Sequence, residues 1–305
     1  MNAERRAQLE SQISKVDSIS TAPVVLQPLL AILRQPVDEI SMEKVVELVS
    51  RDGAIAAQCL RFANSPLFAR YPVETTRAAV MALGIGKVRS ILLGLCMNQT
   101  IPKEKWVLDG NAFWRHSLGC ALVAQNMAIG IGYPEPEKAY LAGLLHDLGF
   151  LVNSMLETEK FRQCLDASIR GHSPLHVAEE RILGFTHGDS GGILCERWGL
   201  SAELSEAARC HHTVDQLQNA EPLVCLVHLG DLLCRLRNLG YGYEEIMAVA
   251  LGDDCAWDHL TAGFPALAKI DLVRFTLDLE GSMDQIADLV NAVFLPSRMA
   301  ATSQA

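Results

Sequence analysis

The sequence has no uncharged apolar run reaching the roughly 18 residues that a membrane-spanning helix needs, so no membrane segment is expected. Residues 1–18 are charged and polar and have no apolar centre of signal-peptide type, and a cytoplasmic protein is expected. None of the nine cysteines (Cys59, Cys96, Cys120, Cys164, Cys195, Cys210, Cys225, Cys234 and Cys255) forms a Cys-x-x-Cys pair. Several lie inside apolar stretches, where a thiol is a small hydrophobe suited to a reducing compartment, so disulfides are not expected. Aromatics make up only 6%, β-branched clusters are few and alternating patterns are scarce, which argues against sheets. Basic residues are outnumbered, 26 against 36 acidic, for a net charge of −10. That balance argues against a broad nucleic-acid surface, which must neutralise phosphates with Lys and Arg. Low-complexity tracts and internal repeats are also missing.

What is present is helical periodicity. Val46, Val49, Ile55 and Cys59 mark an inward stripe over 43–60, interrupted at Asp52-Gly53, and 113–131, 137–148, 203–212 and 223–236 read the same way. Ser41 and Ser201 are placed as N-caps and Pro136 as an opening residue. The expectation is an all-α protein. With 305 residues it is long enough to bury about three quarters of its unfolded surface without staples. Breaks at 70–72, 101–110, 132–134 and 240–242 divide it into an N-terminal helical lobe (1–104), a central helical lobe (105–239) and a C-terminal helical extension (240–305).

The central lobe carries His116, the doublet His146-Asp147, His187, the doublet His211-His212, and Asp231. Leu204, Ala207, Ala208 and His211 follow helical spacing, as do Val224, Val227, Asp231 and Cys234, and His116 shares a face with Phe113, Cys120 and Val123. These polar groups therefore point where the apolar residues point. Burying them is costly unless a cation or hydrogen-bond donors meet them. Imidazole and carboxylate together suit one or two divalent ions, iron, manganese, zinc or nickel, gathered from several helices of a bundle. Neighbours on a helix project about 100° apart, so each doublet can serve two ions, with Asp147 as a bridging carboxylate. Ala142 and Gly143 leave room for a close helix.

The alternative is that each group is a hydrogen-bonded core residue, with Asp231 satisfied by Arg235. Seven such residues together favour a metal site. His228 is a reserve ligand, better read as lying behind the ligands. His172, His176 and His259 are expected at the surface, and Asp189 is expected to cap the helix that follows it.

The doublet in LLHDLG (144–149) resembles the HD superfamily, and the order of His116, His146-Asp147, His187, His211-His212 and Asp231 resembles the two-metal pattern of its HD-GYP branch. ISTAP (19–23), LVSRDGAIAAQCLRFANSP (48–66), AAVMALGIGKVRSILLGL (78–95) and ILGFTHGDSGGILCERWGLSAELSEAARCHH (182–212) resemble the HDOD family over residues 16–235. The resemblance implies an HD-superfamily helical fold with the N-terminal lobe packed on an HD-like lobe, and a regulatory output module. Two departures from HD-GYP enzymes weigh against cyclic-di-GMP hydrolysis. Phe150 stands where those enzymes carry a phosphate-holding lysine, and HHTVDQLQNAEP (211–222) has no GYP. Asn64-Ser65-Pro66 is read as a helix end and turn, Gly84 and Gly86 as close-packing positions, and Arg61, Lys87 and Arg89 as a solvated basic face.

Two functions follow. The first is a metal-binding signalling module acting on partner proteins in trans, with a homo-oligomer also open. The second is a metal-dependent phosphohydrolase in which Asp147 is the catalytic candidate. An enzyme of that kind needs cations to orient phosphate, and Arg115, Lys138 and Arg209 are the candidates. A di-iron oxygenase is a third possibility, suggested by the His-rich ligand set alone.

Overall fold

The computed structural model describes residues 3–16, 26–33, 39–65, 71–100, 105–237, 239–241 and 251–265, with isolated positions at 35, 267, 274, 281, 283 and 284. Among them there is no strand. The first five helices are α1 (Ala3–Val16), α2 (Leu26–Leu33), α3 (Met42–Ser50), α4 (Gly53–Ala63) and α5 (Thr76–Thr100). The central set is α6 (Gly110–Ile131), α7 (Pro136–Leu145), α8 (Leu148–Leu156), α9 (Thr158–Gly171), α10 (Leu175–Leu183), α11 (His187–Arg197), α12 (Ala202–Cys210) and α13 (Pro222–Leu236), followed by α14 (Cys255–Gly263). The boundary expected at residue 104, most of the expected C-terminal extension, and Pro66 lie outside the described residues.

Local chemistry explains the boundaries that frame the site. Asp109 accepts from the Ala112 N–H to start α6, which ends where Gly132 turns left-handed at φ 72°. Ser201 accepts from the Leu204 N–H at α12. Asp189 does act as a cap, forming a reciprocal box with Thr186 at the start of α11. Pro136 opens α7. Of the inward stripe expected over α3 and α4, Val49, Ile55 and Cys59 are buried, whereas Val46 is half-buried and Val45 and Leu48 are buried beside it.

Two glycines let the central helices approach backbone to backbone. A Cβ at Gly143 would lie 2.8 Å from the Ala121 Cα, so α7 lies directly on α6, as expected of a small residue there. A Cβ at Gly149 would lie 1.8 Å from the His187 carbonyl oxygen, which fixes α8 against the start of α11. Gly86 admits the Glu137 carboxylate of α7. Gly84, in contrast, faces open space and breaks α5 with φ 79°, so its role is a kink and not close packing.

The N-terminal helices meet the central ones through charged side chains. Lys87 lies 3.9 Å from Glu137, and Arg89 is only 4% exposed, so these two are not a solvated face. Burial lowers the Arg89 pKa, with Glu137 acting in opposition. Arg61, by contrast, is exposed. On α1, Arg5 donates to the Leu183 carbonyl at 2.9 Å and lies over the Phe185 ring, and Arg6 pairs with Glu196 at 3.0 Å. Asn64 ends α4 as expected, donating to the Leu60 and Val73 carbonyls and accepting from the Val73 N–H. One stretch among the described residues, Pro136–Leu156, is long and apolar enough to cross a membrane, and 89% of it is buried within the fold as core.

Candidate metal centre

His116, His146, His187, His211, Asp147 and Asp231 are all buried, at 0–2% exposure, although each is polar or charged. Periodicity along α6, α12 and α13 delivers His116, His211 and Asp231 inward, as the sequence indicates. The His146-Asp147 doublet differs from expectation. α7 ends at Leu145 and α8 begins at Leu148, so the pair occupies the junction between two helices. Asp147, at φ −102° and ψ 12°, leaves helical geometry and swings its carboxylate to the centre.

That carboxylate is the hub. Asp147 Oδ2 lies 3.0 Å from His146 Nε2 and 3.6 Å from His116 Nε2. Oδ1 lies 3.2 Å from His187 Nε2 and 3.4 Å from His211 Nε2. Asp231 Oδ1 is 3.1 Å from His116 Nε2, and its Oδ2 is 3.8 Å from His212 Nδ1 and bonded by Arg235. The donor atoms form two groups, Asp147 with His187, His211 and His212, and His116 with His146 and Asp231, each within a span of 4.8 Å.

The far sides of the rings explain the orientation. Nδ1 of His116, His146 and His211 meets the carbonyls of Leu239, Gly143 and Ala208 at 2.8, 2.7 and 2.9 Å. A carbonyl only accepts, so Nδ1 carries a proton and Nε2 is the ring nitrogen turned toward the centre. His187 Nδ1 meets Glu179 at 2.5 Å. Asp147 Oδ1 and the Nε2 atoms of His116 and His146 are buried without a hydrogen-bond partner. His187 Nε2 faces His211 Nε2 at 3.4 Å. Orphaned lone pairs aimed at one point are costly in a protein interior and are satisfied by a cation. The residues present therefore fit a divalent ion.

The electrostatics separate the imidazoles. Burial lowers His211 to about 4, with the nearby Asp147 carboxylate acting in opposition. Burial and the adjoining His211 and His187 hold His212 well below its usual value. Both rings are thus neutral at physiological pH. Burial also opposes a charged His187, but Glu179 and Asp147 outweigh it and hold this group near 10. Asp147 is held well below the usual carboxylate range: burial pushes it up, and His146 overrides that.

Three groups around the centre were not singled out from sequence. Glu179, 0% exposed on α10, accepts from His187 Nδ1, from the His187 N–H at 2.9 Å and from Asn153 at 2.9 Å. Its signal was available, since Leu175, Ala178, Glu179 and Leu183 fall on one helical face. Tyr241 bonds Asp147 Oδ2 through its hydroxyl. His176 is half-buried and stacks on His212 at 4.6 Å, so it is not the surface residue expected; the two rings exclude water from each other. His172 is exposed at the end of α9, and His259 is half-buried on α14. His228 turns away from the cluster, pairing with the His211 carbonyl at 2.6 Å and with Asp254 at 3.2 Å.

Asp147, Phe150, Leu175, His187, His212, Asp231, Arg235 and Tyr241 line a cavity of about 10 Å³, room for about one water-sized group. Phe150 packs on His187 with ring centroids 4.0 Å apart and closes one side. Of the cations expected to orient phosphate, Lys138 is engaged by Glu135 and Glu203, Arg209 by Glu196, and Arg115 is half-buried on α6. Arg235, which bonds Asp231, lines the cavity.

Comparison with known proteins adds the family. The HDOD domain model matches residues 19–214. The chain belongs to the HDOD domain family. An HDOD domain protein of unknown function from Geobacter sulfurreducens has a similar structure (TM-score 0.80, 26% identity, 97% of this chain and 100% of that one). A protein from Marinobacter aquaeolei VT8, named provisionally for signal transduction, is similar at TM-score 0.70 and 22% identity, over 96% of this chain and 67% of that one. Another from Shewanella amazonensis SB2B, named provisionally as a phosphohydrolase, is similar at TM-score 0.68 and 21% identity, over 92% and 97%. These last two likenesses concern the fold alone. An uncharacterized protein of Treponema pallidum (strain Nichols) is 23% identical over 81% of this HDOD chain, which spans 49% of that relative's length.

Proposed function

We propose that this HDOD chain is a metal-binding regulatory protein that acts by presenting a surface to a signalling partner in trans, and that it is not a cyclic-di-GMP phosphodiesterase. The observation that carries this reading is the enclosure of the ligand cluster: buried donors converge on Asp147, while the adjoining cavity of about 10 Å³ has no room for a nucleotide. His116, His146, Asp147, His187, His211, His212 and Asp231 would hold one or two divalent ions. A bound ion supplies positive charge that satisfies the orphaned lone pairs and stabilises the helices holding them. The imidazoles are kept in ligating orientation by the carbonyls of Leu239, Gly143 and Ala208 and by Glu179. Phe150 and Tyr241 exclude solvent, and Phe150 has no charge or donor with which to hold a phosphate.

A metal-dependent phosphohydrolase is the second reading. It is favoured by the division of ligands into two groups that share the Asp147 carboxylate, an arrangement suited to clamping a phosphoryl oxygen between two ions. The two readings separate in one assay. The metal-loaded full chain is expected to leave a cyclic dinucleotide and an activated phosphodiester unhydrolysed. Metal-dependent turnover that disappears in Asp147→Asn would overturn the regulatory reading in favour of the hydrolase.

A further inference from the structure

We propose that Tyr241 is itself a metal ligand, so that the centre includes a phenolate oxygen delivered by the chain following α13. This inference rests on the metal-binding reading above.

The placement of Tyr241 is built from several directions. At the end of α13 the Arg237 N–H bonds the Leu233 carbonyl and the Leu239 N–H bonds the Cys234 carbonyl, turning the chain back over the helix end. The Leu239 carbonyl then receives His116 Nδ1, so the ring of one candidate ligand anchors the backbone two residues before Tyr241. The Tyr241 ring lies 4.5 Å from His116, 5.3 Å from Phe150 edge-on and 6.2 Å from Phe113 in a stacked arrangement. Three aromatic neighbours on α6 and α8 thus hold the ring, and its hydroxyl reaches Asp147 Oδ2 inside the cavity.

The oxygen arrives where donors are fewest. One group offers Asp147, His187, His211 and His212, whereas the other offers His116, His146 and Asp231, with Asp147 Oδ2 reaching across at 3.0–3.6 Å. Asp231 also has Arg235 on its second oxygen, which withdraws part of its charge from the centre. A phenolate at this point adds an anionic oxygen on the side where carboxylate charge is already shared. On ligation the phenol proton passes to solvent, the oxygen lone pair is donated to the ion, and no electron changes hands. A hard oxygen donor of this kind favours ferric iron over softer divalent ions. The arrangement also ties the centre to the segment leaving α13, so that occupancy and the position of that segment become linked.

Ferric tyrosinate has a visible charge-transfer absorption that imidazole and carboxylate ligands do not produce. The full chain would be loaded with ferrous iron, oxidised in air, and examined for iron content, visible absorption and phenolate bands in resonance Raman spectra. Bound iron with that absorption in the native protein is expected, with loss of the absorption but retention of iron in Tyr241→Phe. Tyr133→Phe, on a half-buried tyrosine outside the cavity, is expected to keep it. Bound iron without phenolate bands in the native protein, or bands persisting in Tyr241→Phe, overturns the ligand assignment and leaves the metal centre standing. The native-protein spectrum decides this even if the variant does not fold. Failure to bind iron or any other divalent ion overturns the metal reading, and the Tyr241 assignment falls with it.

Discussion

The helices before residue 100 and those between 110 and 236 are built from similar small apolar residues, yet they bury different things. In α3–α5 the buried apolar residues include Val45, Leu48, Val49, Ile55, Cys59, Phe62, Val80, Leu83, Val88 and Leu92, with Ser65 and Arg89 the buried polar residues described there. In α6–α13 the interior also holds His116, His146, Asp147, Glu179, His187, His211 and Asp231. The first region gains its stability from packing. The second includes charges whose burial costs several kcal/mol unless compensated, so its stability depends on what meets those charges. The two regions thus differ in what they enclose: the N-terminal helices bury mainly apolar side chains, and the central helices close around a polar centre.

Substitutions can test this contrast. The largest effect is expected from Gly149→Ala, where the new methyl would collide with the His187 backbone and force α8 away from α11; a loss of about 3 kcal/mol or more by denaturant unfolding follows from overpacking. Glu179→Gln removes one of the two carboxylate charges beside His187. It should lower stability by about 2 kcal/mol and metal affinity by about 10–100-fold, measured by unfolding and by competition with a chelator. Ser201→Ala removes the cap of α12 and is expected to cost about 1 kcal/mol in the same unfolding assay. Gly53→Ala, at the start of α4, meets nothing within 4 Å. It should be neutral or stabilising by up to about 0.5 kcal/mol, and an equal loss at Gly53 and Gly149 would erase the contrast between the regions.

Much of the site was legible because helices impose a period. His116, His211 and Asp231 follow apolar residues at spacings of three and four, and each is found buried. The all-helical architecture followed from the same signal. The junction at His146-Asp147 was not legible, because Leu144, Leu145, Leu148, Phe150, Leu151 and Val152 keep the stretch apolar on both sides and hide the break between α7 and α8. Glu179 sits in AEER, which reads as a solvated face until the apolar spacing of Leu175, Ala178 and Leu183 is included. Tyr241 has no periodic signal, since it lies between two glycines in a break; only the return of the chain over α13 brings it to Asp147. His176 has no supporting pattern around it, and its stacking partner, His212, is 36 positions away in sequence.

The central claim is that the buried histidines and aspartates are a metal centre, and elemental analysis of untagged protein tests it most directly. The native chain, purified without chelator, should carry about one or two equivalents of a divalent metal, and the His146→Ala, Asp147→Ala double variant should lose it while circular dichroism shows most of the helix retained. Metal content unchanged in that variant, or a native chain that takes up no metal after loading, would contradict the account.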